Sequence, residues 1–181
     1  AAASIESCAE IFSDGVVAPI LWYALLGLPG IVFYKAVNTA ESMIGHRDHR
    51  HEWFGKPAAV VDDFLNLPAA RLSALLVVLV SLVRPAAVSP GTIWQRVVRD
   101  ANTHRSPNAG WPETAFAANL GIALGGPRAY HDGPVEAPYL NSEGLRSFGE
   151  GAIRRAISLL WSCAFLLLGL VVFVTLLGFS F

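Results

Sequence analysis

Apolar positions along the chain gather into three runs separated by polar stretches, and the lengths of those runs predict membrane-crossing helices. The C-terminal run, 157–181, carries no charge and is long enough to cross a hydrocarbon core of ~30 Å as a helix. Arg154 and Arg155 stand just before it, where their side chains can snorkel to headgroups. A second uncharged run, 15–34, contains Pro19, Gly27, Pro29 and Gly30. Those residues predict a kink or break, which membrane helices tolerate where neighbours satisfy the freed backbone groups. The third run, 72–83, is short for a span and reaches spanning length only together with 64–71, which places Pro68 and Arg71 inside it. The pattern predicts an all-α fold: a polytopic integral membrane helix bundle, one domain over 1–181, with kinked or re-entrant segments and polar loops forming a site.

Charge then raises a question of topology. Segments 35–56 and 96–155 are both basic, and the positive-inside rule wants both on the cytoplasmic side. One ordinary span between them separates them. A re-entrant 64–83 segment, a further crossing hidden in 109–126, or one loop that violates the rule would each resolve this. The reading preferred is a re-entrant or broken 64–83, because irregular polar backbone at membrane depth is typical of a site.

Composition agrees with a membrane location. The 181 residues are 54% hydrophobic and 15% charged with mean hydropathy +0.48, against roughly 25% charged in a soluble domain. A net charge of −1 gives no basic footprint for nucleic acid. Cys8 and Cys163 lie far apart without metal spacing, so neither a disulfide framework nor a zinc site is expected, and Cys163 reads as a small buried hydrophobe. The opening Ala1–Ala3 has no basic or apolar region of the kind a signal peptide carries.

The charged residues concentrate in four stretches. In the first, Glu6, Glu10 and Asp14 follow at i, i+4 and i+8, which predicts one helix face. Like charges so spaced repel, and a cation over them relieves this; magnesium takes one or two carboxylates plus phosphate oxygens. A solvated helix face is the plain alternative. In the second, Lys35, Asn38 and Ser42, with Glu41 close by, are near-neighbours on a helical surface and suit a phosphate-bearing ligand, or equally an interfacial helix end with a snorkelling lysine. His46, His49 and His51 follow in a polar segment that reads as a solvated loop rather than a metal site.

The third stretch pairs Asp62 with Asp63, followed by Asn66, Pro68 and Arg71. Adjacent carboxylates near a membrane boundary carry a desolvation cost unless paired. A bound metal answers that cost, and so does an Asp–Arg structural pair. The fourth stretch, 99–113, packs Arg99, Asp100, Asn102, Thr103, His104, Arg105, Ser106, Asn108 and Glu113 between two prolines and a glycine. It carries too much hydrogen-bonding chemistry for a linker, and ligand sites favour loops held by a rigid scaffold. After it, 115–126 is rich in small residues that permit close helix packing.

Several of these segments resemble one family. Residues 4–19, with Ser4-Ile5-Glu6-Ser7, Ala9-Glu10 and Ser13-Asp14-Gly15, are similar to the ES-x-AEN-x-SDG-x-x-AP signature of the CobD/CbiB family, the adenosylcobinamide-phosphate synthases of cobalamin biosynthesis. Tyr34-Lys35, Asn38-Thr39 and Ser42-Met43-Ile44-Gly45 resemble its YK-x-x-NT-x-DSM-x-G segment. Phe54-Gly55, Asp62-Asp63, Asn66 and 68–72 resemble its FG, DD-x-x-N and PARL segments, and 106–113 matches SPNAG-[WY]-PE. Leu124-Gly125-Gly126 and Tyr130 continue the likeness, which covers about 4–160. The chain departs at Ile11, where the family has Asn, at Glu41, where it has Asp, and by one extra Ala in 68–72. It is also expected to lack the family's N-terminal helices.

The resemblance implies an ATP-dependent amide ligation. Aminopropanol, or its phosphate, joins the free propionate of adenosylcobyric acid to give adenosylcobinamide or its phosphate. Forming an amide from a carboxylate is uphill, so activation of the acid as an acyl phosphate, cationic cover for developing charge and exclusion of water are all required. On this reading Glu6, Glu10, Asp14, Asp62 and Asp63 are candidates for magnesium. Lys35, Arg71 and Arg105 are candidates for phosphate contacts, with Arg71 serving catalysis. Asn38, Ser42, Ser106 and Asn108 orient substrate and ATP, and His104 or Glu113 takes the proton of the amine. The expected setting is a multi-pass protein of a bacterial or archaeal cell membrane, in contact with the bilayer and with other pathway enzymes or a second copy, and not with nucleic acid. A non-catalytic sensory or scaffold relative of the same fold is the rival expectation, and a transporter is a weaker one, since no inverted repeat is visible.

Overall fold

The computed structural model describes residues 1–44, 52–130, 133–135 and 137–178; His46, His49 and His51 lie outside them. In chain order it places helix α1 (Ala2–Glu10), a π-helical stretch (Ile11–Val17), α2 (Ala18–Ile44), α3 (Glu52–Val80), α4 (Pro90–Asp100), a 3-10 turn (Ala101–Thr103), α5 (Gly110–Leu120) and α6 (Glu150–Leu176). Four short strands sit between α5 and α6, paired as two small antiparallel ladders: β1 (Leu124–Gly125) with β4 (Tyr139–Leu140), and β2 (Arg128–Tyr130) with β3 (Gly133–Val135). The fold is an all-α bundle, as the sequence predicts. Among the described residues three helical segments are long and apolar enough to cross a membrane: Ala2–Met43, Gly55–Val80 and Glu150–Leu176.

The first of these is not straight. A 42-residue helix is about 63 Å long, twice the hydrocarbon core. At Gly27 the backbone takes φ 65 and ψ −152, values open to glycine, and the chain folds back. Tyr34 Oη donates to the Asp14 carbonyl at 2.8 Å, although residues 20 apart on a straight helix stand about 30 Å from one another. Gly30 closes against the Trp22 carbonyl, so near that a Cβ there meets the oxygen at 2.3 Å. Segment 2–44 is therefore a helical hairpin with its bend at Gly27.

By contrast α3 is continuous from Glu52 to Val80 and absorbs both Pro57 and Pro68. The re-entrant reading of 64–83 is corrected here: 64–80 belongs to one long helix with a turn after it, and the reversal falls in the earlier run. Pro68 removes one backbone donor, and neighbouring helices tolerate such a loss.

Helices α4 and α5 form a second hairpin. Ser89 caps α4 by accepting from the Thr92 amide at 3.2 Å, with Pro90 in the first turn where its missing N–H costs nothing. Helix α5 ends on Gly121 in the left-handed region, with Ile122 N donating to Ala117 O at 3.0 Å and Gly121 N to Ala118 O at 3.4 Å, a Schellman stop. At the open end Ala87 N reaches Asn119 O at 2.8 Å; at the closed end Gly110 packs against Ala101, where a Cβ meets the Ala101 oxygen at 2.3 Å. Every residue from Pro112 to Leu120 is buried, which makes α5 the central post of the bundle. Its alanines admit α1, α3 and α4 closely, and Phe116 meets Phe12 with ring centroids 6.3 Å apart.

Candidate functional site

The two hairpins converge on the middle of α3. From the first comes a chain of hydrogen bonds. Lys35 Nζ donates to Asn38 Oδ1 at 2.9 Å, and Asn38 Nδ2 donates to Asp62 Oδ1 at 3.3 Å. The other Asp62 oxygen accepts from Asn66 Nδ2 at 2.9 Å, and Asn66 Oδ1, 2.9 Å from Tyr34 Oη, shares the single hydroxyl proton with the Asp14 carbonyl. Tyr34 and Asn66 are almost wholly buried, so their polar ends are satisfied by one another and by the Asp14 carbonyl. Asp62, Glu10 and Glu41 all lie within electrostatic range of the Asp14 carboxylate.

The second hairpin supplies a matching chain. Arg71 Nη1 donates to Asn108 Oδ1 at 3.1 Å, and Asn108 Nδ2 donates to the Asp63 carbonyl at 2.8 Å and to Asp63 Oδ1 at 3.3 Å. The Arg71 guanidinium lies 4.7 Å from the Trp111 ring centroid, and Trp111 packs on Trp94 at 6.1 Å. A fixed turn presents Asn108: Ser106 Oγ accepts from the Asn108 and Ala109 amides, both at 3.2 Å, and the Ser106 amide donates to His104 Nδ1 at 3.0 Å. His104 Nε2 then faces Glu113 Oε1 at 3.9 Å, with Glu113 buried at the start of α5.

One motif therefore occurs twice. In each, an asparagine stands between a cation and a carboxylate, its amide oxygen accepting from the cation and its amide nitrogen donating to the acid. Lysine and arginine are thus held beside Asp62 and Asp63 without fusing with them into direct ion pairs. Such an arrangement keeps both signs of charge available to a ligand that carries both.

The predicted site residues divide accordingly. Lys35, Asn38 and Asp62 join one chain that reaches Asp14 through Asn66 and Tyr34. Arg71, Asn108 and Asp63 join the other, and Asp62 and Asp63 are consecutive on α3. Ser106, His104 and Glu113 border the second chain through the α4–α5 turn. Ser42 Oγ caps back onto the Thr39 carbonyl at 2.9 Å, within its own helix, and Arg105 is exposed. Glu6 is buried and points elsewhere, accepting from the Gly125 amide at 2.9 Å, whereas Glu10 is exposed. The single face predicted for Glu6, Glu10 and Asp14 is broken by the π-helical stretch, whose wider turn re-aims Asp14. Among the described residues no three His, Cys, Asp or Glu side chains stand together at metal-ligand spacing. Two contributors escaped the sequence reading as site parts: Tyr34, and Trp111 as the platform for Arg71. Tyr34 adjoins Lys35, and the aromatic sits two residues before Glu113, but nothing local reveals that either faces α3.

A helical membrane bundle with a charged, asparagine-bridged site on its central span is the class these features define. The family model described as CobD/Cbib protein matches residues 1–160. Curated relatives named Cobalamin biosynthesis protein CobD are similar along most of the chain. That of Brucella anthropi is 48% identical over 176 residues, 97% of this chain and 54% of its own length. Those of Rhizobium meliloti and Rhodobacter capsulatus are 51% and 50% identical over 78% of this chain, and 43% of each of their own lengths. No solved structure matches. The chain belongs to the CobD/CbiB family of cobalamin biosynthesis, and it spans about half the length of the curated relatives it matches.

Proposed function

We propose that this chain carries the acid–amine ligation site of an adenosylcobinamide-phosphate synthase, joining aminopropanol or its phosphate to the free propionate of adenosylcobyric acid with ATP. The observation that carries the reading is the pair of asparagine-bridged charges, Lys35–Asn38–Asp62 and Arg71–Asn108–Asp63. A nucleotide with its magnesium presents both charges that such a site accepts. The donor set fits: magnesium takes one or two carboxylates plus phosphate oxygens, and Asp62 and Asp63, with Asp14 behind them, supply that number. Bound there, the ion would neutralise charge on the phosphates.

The chain's own groups have distinct tasks. Lys35 and Arg71 cover phosphate oxygens. Arg71 lies over the Trp111 ring and is bonded to Asn108 and the Leu67 carbonyl, so it loses less freedom on binding. Asn38 and Asn108 fix the spacing of cation and acid, as preorganised polar groups must if they are not to reorganise during the reaction. Since the Ser106 amide donates to His104 Nδ1, the ring proton sits on Nε2, on the side of Glu113. We assign Glu113, buried beside it, to take the proton of the attacking amine, with His104 orienting the carboxylate. Glu6, Glu10, Ser42 and Arg105 remain proposals of the family likeness alone. The setting is a multi-pass protein of a cell membrane, with the corrinoid arriving at the site from one face.

The test is corrinoid conversion by the protein in nanodiscs, given adenosylcobyric acid, aminopropanol phosphate, ATP and magnesium, and read by mass spectrometry. A mass gain equal to the aminopropanol phosphate amide supports the proposal. Folded protein that yields no product, beside a full-length relative that does, would assign this chain a non-catalytic role.

A further inference from the structure

A second polar feature lies away from this site, where α3 ends and α6 begins. A cavity of about 520 Å³ is lined by Arg84, Asn119, Arg154, Arg155 and Ser158, with an apolar wall that includes Leu120 and Leu159. Arg84 stands four positions past the end of α3 at Val80, and Arg71 lies about 14 Å before that end, so the cavity is separate from the asparagine-bridged charges. It sits at the end of two candidate spans, the level at which headgroups meet a bilayer.

Its chemistry is one-sided. Three guanidinium groups line it and no carboxylate does. Arg84 is held by neutral acceptors on α6: Nη1 donates to the Ser158 carbonyl at 2.8 Å and to Ser162 Oγ, and Nη2 to Ser158 Oγ at 3.1 Å. Glu150 approaches Arg154 at 4.0 Å with both side chains exposed, while Arg155 has no acidic partner among the described residues. An independent feature points inward. Asn119, 7% exposed, also lines the cavity, and its side chain makes no hydrogen bond among the described residues, which leaves it open to a ligand oxygen.

We propose that this cavity binds a phosphate group, held by Arg154 and Arg155, steadied by Arg84 and hydrogen-bonded by Asn119. Arginine forks match phosphate oxygens in pairs, and the Leu120–Leu159 wall suits the carbon chain attached to the phosphate. Two sources share that chemistry: the headgroup of an anionic lipid, and a soluble phosphate monoester.

The experiment uses the whole chain in detergent and compares wild type with the Arg154→Gln/Arg155→Gln double variant and, separately, Asn119→Leu. One arm measures phosphatidylglycerol retained in native mass spectrometry against phosphatidylcholine. The other measures the rise in Tm produced by phosphoethanolamine. Preferential phosphatidylglycerol retention that falls on the order of tenfold or more in the double variant assigns the site to lipid. A phosphoethanolamine-dependent Tm rise, lost in the double variant without a lipid preference, assigns it to a soluble phosphate. Both variants keep Arg84 and its contacts to α6, and circular dichroism checks their helicity. Equal lipid retention and equal Tm response in wild type and folded variants would overturn the proposal.

Discussion

Two charged networks in the molecule use the same residue types and reach opposite balances. In the loop network, Arg99 grips Asp100 at 2.5 and 2.8 Å and Glu143 at 2.6 and 3.0 Å, and Arg96 adds a contact to Glu143 at 3.9 Å. Asn141 closes it, donating its backbone N–H to Asp100 and its side-chain amide to the carbonyls of Ala117 and Ile122 while accepting from Arg96. Two arginines meet two carboxylates directly and little is left over; the network fastens the segment after β4 to α4 and, through Asn141, to the end of α5. On α3, by contrast, asparagines separate Lys35 from Asp62 and Arg71 from Asp63, and Asp14 adds a further acid. Direct pairing spends charge on structure, whereas bridged pairing leaves cation and acid separate, as the proposed ligand site requires. Intramembrane charge that is not spent on structure is the mark of a functional site.

The comparison breaks first if the α3 carboxylates prove dispensable. Asp62→Asn and Asp63→Asn are each expected to lower corrinoid turnover by on the order of 100-fold or more, while the helical circular dichroism and Tm of the protein hold. Asp14→Asn is expected to act in the same direction. Full activity in these variants would remove the ligand role.

Arg71→Lys sharpens it. The charge stays, but the planar fork and its stack on Trp111 are lost, so a fall of about tenfold in kcat/KM for ATP is expected rather than abolition. An unchanged value would show that Arg71 acts as a bare charge. A packing test follows: Gly110→Leu should lower stability by about 1–3 kcal/mol, read as a lower Tm, because the Ala101 carbonyl already occupies the space. Without the tight turn, Asn108 loses its place beside Asp63, so activity should fall with it.

The smallest effect belongs to the loop network. Arg99 bonds hold the Glu143 carboxyl down at about 2, below its ordinary range. A depressed acid contributes stability that is present above its unfolded value near ~4.3 and is lost as pH falls towards about 2. Glu143→Gln should therefore flatten the acid side of the Tm profile below about pH 4. The change should amount to less than about 1 kcal/mol, because both side chains are half exposed and salt screens them. Turnover at neutral pH should barely respond, which is the contrast with α3.

Much of this architecture is legible along the chain. Uncharged runs mark the apolar helices, and the placement of Asp62, Asp63, Lys35, Arg71 and Asn108 in dense polar stretches marks the chemistry. The glycines and prolines of 15–34 announce a break but not its direction. That Gly27 turns the chain back depends on Tyr34 finding Asp14 and Asn66, partners 20 and 32 residues away, and no local pattern encodes such a match. Similarly, the i, i+4, i+8 spacing assumes a uniform α-helix, and the π-helical stretch at Ile11–Val17 cancels it after Glu10. Glu6 therefore turns to the Gly125 amide, while Asp14 turns towards Asp62. Asparagine bridging is hidden for the same reason: Asn108 and Asp63 are 45 residues apart, and only the folded α4–α5 hairpin makes them neighbours.

The central claim is that the bridged charges on α3 await a metal–nucleotide ligand, and manganese reports on it directly. Electron paramagnetic resonance of Mn²⁺ with ATP and the protein in nanodiscs should show ATP-dependent Mn²⁺ binding in the wild type. The bound signal should vanish in Asp62→Asn and Asp63→Asn and persist in Glu143→Gln. Binding that is unchanged by either aspartate substitution in folded protein would contradict the account.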